Sequence, residues 1–293
     1  MKINCASIAQ QVLEKTKLQL DKVYDKKAPP KVALVYVGHD PLTEVFIQKK
    51  IKLARKLGIV FEVIHFPQVP LFQVFASKLR ITANDRNFHA VLVQRPLPPE
   101  LNSNSLDNFI PRIKEVEGQK YKSPYISPIG KAALSILKYV HTQDWNIKNT
   151  DIEFFKKTFK RQFVVIAGRG ETAGRPLAST LLKFKIPTII THSETDNCDM
   201  FYSQADVLIT ATGTQLVSDP SCIKQGAILL NFGYRKEEGV TKGDYDEKTV
   251  RDVAGFYTPV INGSGPVMLS YLMENIVSSY TSILKVKSSK EFL

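Results

Sequence analysis

The sequence predicts an α/β protein built of two α/β domains, the second of them Rossmann-type. Three observations carry this. Short apolar runs of strand type alternate with segments of helical periodicity along nearly the whole chain. Most of those runs stop at a Gly- or Pro-rich loop. And one of them, Phe163-Val164-Val165-Ile166-Ala167, runs straight into Gly168, followed by Gly170, Gly174 and a helical stretch from Leu177 to Leu182. Strand, glycine-rich turn and helix bring backbone N–H groups and a helix N-terminus up to a phosphate. The spacing here is Gly-x-Gly-x-x-x-Gly rather than Gly-x-Gly-x-x-Gly. By itself it fits either a phosphate cradle or a tight turn with no ligand.

The elements read in order as follows. Residues 7–24 place Ile8, Val12, Leu13, Leu18 and Val23 at roughly helical spacing. Lys26-Lys27-Ala28-Pro29-Pro30 breaks the pattern. Val32 to Val37 is a buried-type strand closed by Gly38, and Asp40-Pro41 opens a helix to about Lys56, with Gly58 as its stop. A strand over 59–64, a helix over 71–81 and a strand over 90–94 follow, the last stopped by Pro96-Leu97-Pro98-Pro99. The pattern then gives a short helix over 106–113 and a longer one over 128–141, with Ser127 as N-cap. Residues 143–161 are more polar, and the domain boundary is placed there. After the glycine turn come strands at 188–191, 207–212, 227–232 and 256–257, then a final helix that starts after Pro266 and runs to about Leu284. The tail KVKSSKEFL reads as frayed. The expected division is 1–145 with the C-terminal helix 267–293 as one domain, and 146–266 as the other. The final helix is expected to return to the first domain.

Composition bounds the function. With 293 residues, 43% of them hydrophobic, the chain can bury a sizeable core. It has no run of ~18 apolar residues to cross a membrane. The start, MKINCASIAQQ, lacks the apolar centre of a secretion signal, and no arginine precedes Arg55, against a transit peptide. Cys5, Cys198 and Cys222 are far apart, which fits a reducing compartment with neither disulfide framework nor metal site. A cytoplasmic location is expected. The net charge of +12 comes from scattered lysines, which suit a solvated surface or an anionic small ligand better than a nucleic-acid track. In two-domain α/β proteins a small-molecule site usually lies in the cleft at the carboxyl ends of the strands. The loops at 38–41, 94–99, 168–174, 213, 233 and 258–266 are expected to face it.

Several of these loops carry further motifs. The segment from Gly38 to Lys50, GHDPLTEVFIQKK, resembles Gly-x-Asp-Pro-Ala-Ser-x-x-Tyr-x-x-x-Lys. Val93 to Pro98 resembles Val-Gln-Leu-Pro-Leu-Pro, Lys114 to Gly118 resembles Lys-Asp-Val-Asp-Gly, and Ser127 to Gly130 resembles Thr-Pro-x-Gly. Gly168 to Pro176 resembles Gly-Arg-Ser-x-x-Val-Gly-x-Pro, Ala211-Thr212-Gly213 matches Ala-Thr-Gly, and Thr258 to Pro266 resembles Thr-Pro-Val-Pro-Gly-Gly-Val-Gly-Pro. In this order, from Val32 to about Val277, the chain resembles the methylenetetrahydrofolate dehydrogenase/cyclohydrolase family. The resemblance implies oxidation of 5,10-methylenetetrahydrofolate with a nicotinamide cofactor, hydrolysis of the methenyl product to 10-formyltetrahydrofolate, and a homodimer. It implies no nucleic-acid and no membrane partner.

The resemblance also implies the site. Lys50 takes the position of the catalytic lysine, where an amine can move a proton or stand as a cation beside developing charge. Gln94 orients it, and Glu117, in place of aspartate, accepts the paired donors of a pteridine ring. Phe46 stands where the pattern has tyrosine. It keeps a stacking surface for folate and removes a hydroxyl, so the hydrolysis is expected to be weakened. The chain is also shorter than the pattern between Gly118 and Ser127. Pro96, Leu97, Gly263 and Pro266 are the remaining substrate-binding candidates. Gly168, Arg169, Gly170, Gly174, His192, Ser193, Thr212, Gly213 and Gly233 are the cofactor-binding ones. Arg169 and Ser193 match positions used for NADP, whereas Glu194 is an acid of the kind that favours NAD. NADP is the expected cofactor and NAD the less favoured. Three readings remain beside this one: a non-catalytic paralogue that binds nucleotide or folate, a two-domain NADP dehydrogenase acting on another small acid, and a basic nucleic-acid binder, which has only the net charge in its favour.

Overall fold

A computed structural model describes residues 1–24, 28–102, 106–120 and 122–290, with side chains to residue 286. The chain divides into two compact units, 13–128 with 269–293, and 1–12 with 129–268.

The first unit takes most of helix α1 (Cys5–Asp21) and then alternates strand and helix: β1 (Lys31–Val37), α2 (Pro41–Lys56), β2 (Val60–Phe66), α3 (Phe72–Asn84) and β3 (Ala90–Val93). The strands form a parallel sheet in the order β2-β1-β3. β1 is buried on both faces, which explains its unbroken apolar run. Its alternate residues feed two cores. Val32, Leu34 and Tyr36 join Ala90 and Leu92 on one side. Ala33, Val35 and Val37 join Val91 and Val93 on the other, under Phe75 and Leu79 of α3. Leu272, Met273, Ile276, Val277 and Tyr280 of the C-terminal helix complete the first of these cores, as expected. They recur at the three- and four-residue spacing of a helix face.

The second unit holds α4 (Pro128–Thr142) from Ile129 onward, α5 (Ile152–Phe159), β4 (Val164–Ala167), α6 (Gly174–Lys183), β5 (Thr188–Thr191), α7 (Cys198–Tyr202), β6 (Val207–Thr210) and β7 (Ile228–Asn231). A hairpin of β8 (Tyr234–Glu237) and β9 (Val240–Gly243), α8 (Glu247–Val250), β10 (Phe256–Tyr257) and the start of α9 (Ser264–Lys290) complete it. The five-stranded sheet is parallel throughout, in the order β10-β7-β6-β4-β5. Here β4, the strand before the glycine turn, lies between β6 and β5. The order runs away from it in both directions, which is the Rossmann-type switch point. No helix of the described residues is long and apolar enough to cross a membrane.

Several boundaries differ from the sequence reading. The polar stretch 143–161 contains α5, which buries Phe155 and Phe159 and sets Phe155 against Phe184. Lysines on its outer face hide that stripe in the average composition. The expected helix over 106–113 is only a single 3₁₀ turn, Leu106–Phe109, because Pro111 cannot continue it. The last helix begins at Ser264, ahead of Pro266, since a proline in the first turn costs no helical hydrogen bond. It also runs on through most of the stretch read as a tail; residues 291–293 lie outside the described residues, as do Lys26 and Lys27 of the breaker and Tyr121 of the shortened loop. The N-terminal residues go with the second unit, because Ile3 N donates to the Tyr257 carbonyl and Tyr257 N to that of Met1.

Candidate functional site

Lys50 lies on the core-facing stripe of α2, with Thr43, Ile47 and Ala54. That spacing buries it (7% exposed), while Lys49 beside it is exposed. The helix is started firmly. Asp40 caps it by accepting from Thr43 N at 2.7 Å, and Pro41 occupies its first position. Lys50 Nζ donates to Gln94 Oε1 at 3.0 Å, at the end of β3, and lies 3.9 Å from Glu117 Oε1. Gln94 Nε2 donates to the Arg95 carbonyl at 2.8 Å, which fixes the amide with its oxygen toward the lysine. Three residues far apart in the chain thus meet at one ammonium.

Glu117 is itself held. Its N–H donates to Glu115 Oε1 at 2.9 Å, and Lys120 N donates to Glu115 Oε2 at 3.2 Å. Burial pushes the Glu115 carboxyl up to about 7, and the Glu117 charge adds to the rise. Burial also raises the Glu117 carboxyl, opposed by Lys50 and Arg95. Phe46 is half-buried, one turn before Lys50, with Lys49 Nζ 5.4 Å from its ring centroid. Pro96 is exposed, and Leu97 is packed in the core with Val93 and Leu101 rather than presented to solvent.

In the second unit the glycine turn has specific demands. Gly168 has φ +115°, and a Cβ there would lie 2.5 Å from the Ala211 carbonyl oxygen. A Cβ on Gly174 would lie 2.0 Å from that of Gly168. A Cβ on Gly170 would meet nothing within 4 Å, so the middle of the turn has open space above its backbone. α6 starts here without a side-chain cap: Arg175 N donates to the Gly170 carbonyl at 2.9 Å, and Pro176 carries no N–H. Arg169 reaches across to the end of β5. Its Nη1 donates to His192 Nε2 at 3.4 Å and its Nη2 to Glu194 Oε2 at 2.6 Å, while Ser193 is exposed beside them. A cavity of about 490 Å³ opens at this edge, lined by Arg169, Arg175, Leu182 and Ile190 among others.

The other predicted cofactor loops are joined by two buried residues that sequence reasoning missed, Asn231 and Asp244. The Asp244 carboxylate accepts from Thr212 N at 2.8 Å and Gly213 N at 2.9 Å. Asp244 N donates to Asn231 Oδ1 at 2.8 Å, and Asn231 Nδ2 donates to the Gly233 carbonyl at 2.9 Å. A Cβ on Gly233 would meet the Asp244 carboxylate at 2.2 Å. Asn231 N also donates to Thr258 Oγ1 at 2.9 Å, and the Asn231 carbonyl accepts from Ser264 Oγ. So the loops at 212, 233, 258 and 264 hang on one polar node. An Asn at a strand end and an Asp after a hairpin give no pattern that would have exposed it. Gly263 and Pro266 belong to this unit. Gly263 is pressed against Pro259, and Asn262 before it takes φ +59°, the left-handed conformation asparagine tolerates. No group of His, Cys, Asp and Glu among the described residues could hold a metal ion.

The predicted residues therefore form two groups, an ammonium–amide–carboxylate set in the first unit and a glycine turn with an arginine in the second. Residues 3–117 match the model of the tetrahydrofolate dehydrogenase/cyclohydrolase catalytic domain, and residues 150–284 that of the family's NAD(P)-binding domain. The bifunctional protein FolD of Ligilactobacillus salivarius is 32% identical over 252 residues, 85% of each chain. Among solved structures, the bifunctional FolD enzyme of Campylobacter jejuni superposes with TM-score 0.82 at 23% identity, covering 96% of this chain and 99% of that one. The Trypanosoma brucei enzyme, solved with NADP cofactor and an inhibitor, gives 0.77 at 21% identity and 95% coverage of each. With both halves matched in order, the chain belongs to the tetrahydrofolate dehydrogenase/cyclohydrolase family.

Proposed function

We propose that this chain oxidises 5,10-methylenetetrahydrofolate to the 5,10-methenyl form with NADP and hydrolyses that product to 10-formyltetrahydrofolate. The observation that carries the reading is the buried Lys50 ammonium, held by Gln94 with Glu117 beside it. A buried charge in such company adds little to stability that an apolar side chain would not supply. Its presence speaks for chemistry and against the non-catalytic alternative.

The first unit is read as the folate-binding one. Glu117 accepts the N–H pair of the pteridine 2-amino group and N3, and Phe46 offers a ring face to stack on it. Lys50 Nζ, with one N–H committed to Gln94, has donors left for the substrate. It handles the proton that must move when water adds to the methenyl carbon. The second unit is read as the dinucleotide-binding one. The open space above the Gly170 backbone and the tight packing of Gly168 and Gly174 fit a pyrophosphate laid on the start of α6. Arg169 and Ser193 suit a 2′-phosphate, and NADP, when bound, accepts the hydride. Thr212, Gly213 and Gly233 are read as further dinucleotide-binding residues, and Gly263 and Pro266 as substrate-binding ones. The family resemblance supports a cytoplasmic homodimer, which sedimentation would check, with no nucleic-acid or membrane partner.

The test is to supply purified protein with methylenetetrahydrofolate and NADP and follow both NADPH and the methenyl product. Lys50→Ala should abolish hydrolysis. Phe46→Tyr should raise it about tenfold, the worth of one hydrogen bond to a charged group. Hydrolysis unaffected by either substitution overturns the assignment.

A further inference from the structure

We propose that Glu194 sets this chain's choice between a phosphorylated and an unphosphorylated adenosine ribose, by competing with the 2′-phosphate for Arg169. The proposal rests on the reading of the second unit as dinucleotide-binding. The glycine turn carries Arg169 over the end of β5, where the Glu194 carboxylate already holds its Nη2 at 2.6 Å and lies 3.8 Å from His192 Nδ1. Both partners are exposed, Arg169 at 57% and Glu194 at 72%, so the pair is reachable by a ligand and screened by water.

One carboxylate then acts in two directions. A 2′-phosphate that approaches Arg169 must displace Glu194 or lie beside it, and like charges at that distance repel. An unphosphorylated ribose presents a 2′-hydroxyl, which donates to an acid at the end of this strand. Glu194 thus penalises one ribose and receives the other, which is how a single group makes a difference of affinities. Arg169 alone would give a one-sided preference for the phosphorylated form. With Glu194 bound to it, the site admits both cofactors, and the margin for NADP is narrowed.

The experiment measures calorimetric affinities of NADP and NAD for the full-length wild type and Glu194→Gln, without folate. Adenosine 2′,5′-bisphosphate and 5′-AMP serve as fragment probes. The substitution should move the NADP-to-NAD affinity ratio about tenfold toward NADP. The same shift should appear in the fragment pair and shrink in high salt, because the charges are exposed. A ratio that moves less than twofold overturns the role of Glu194 and leaves the dinucleotide reading standing. A wild type that binds neither dinucleotide overturns that reading, and the proposal with it.

Discussion

Gln94→Ala gives the sharpest separation of the two activities. The substitution removes the oxygen that accepts from Lys50 Nζ at 3.0 Å. It leaves an ammonium whose side chain is 9% exposed, with the Glu117 carboxylate at 3.9 Å as its remaining close partner. A hydrogen bond to a charged group is worth about 1.5–3 kcal/mol. If the lysine must be held in place only while water adds to the methenyl carbon, that energy is lost from the transition state alone. Cyclohydrolase kcat/KM should then fall about 10- to 150-fold. Hydride transfer depends chiefly on holding two ligands in register, so dehydrogenase kcat/KM should fall only a few-fold. The assay follows methenyl formation with NADP and, separately, decay of supplied methenyltetrahydrofolate. Equal loss of both activities, or unchanged hydrolysis, refutes the view that Gln94 acts through Lys50.

Two further outcomes follow from the geometry. Glu115 is 3% exposed and its carboxyl is raised from the ordinary 4.5 to about 7, mainly by burial. The folded protein therefore holds a proton there that the unfolded chain releases, so this group's contribution to stability is full below about pH 4.5 and is lost as pH rises through about 7. In urea unfolding, the wild type should lose about 3 kcal/mol more than Glu115→Gln between those limits; parallel pH profiles contradict the burial argument. In the glycine turn, Gly174→Ala drives a Cβ into the Gly168 carbonyl and should cost about 1–3 kcal/mol together with NADP binding. Gly170→Ala meets nothing within 4 Å, and thermal unfolding should place it within about 0.5 kcal/mol of wild type.

Much of the site was legible because its motifs are local. The run from Asp40 to Lys50 contains its own helix signals, and the lysine's burial is implied by its place on the stripe of Thr43, Ile47 and Ala54. The glycine turn is likewise written in one short segment, since strand end, turn and helix start are neighbours in the chain. Phe46 and Glu117 are visible as departures from a pattern, and Glu194 as an acid that weighs toward NAD, though not what each would touch. Leu97 sat in a recognisable motif, yet its side chain went to the core.

What the sequence determined by itself was the alternation of strand and helix, the switch from β4 into the glycine turn, and the residue types at the site. These depend on periodicity and on backbone demands that span a few residues. Only the tertiary structure decided which distant groups meet. It brought Gln94 and Glu117 to one ammonium, gave Arg169 to Glu194, and hung four loops on Asn231 and Asp244. Polar partners of this kind have no period, because a hydrogen bond requires two groups to be close in space and sets no condition on the residues between them.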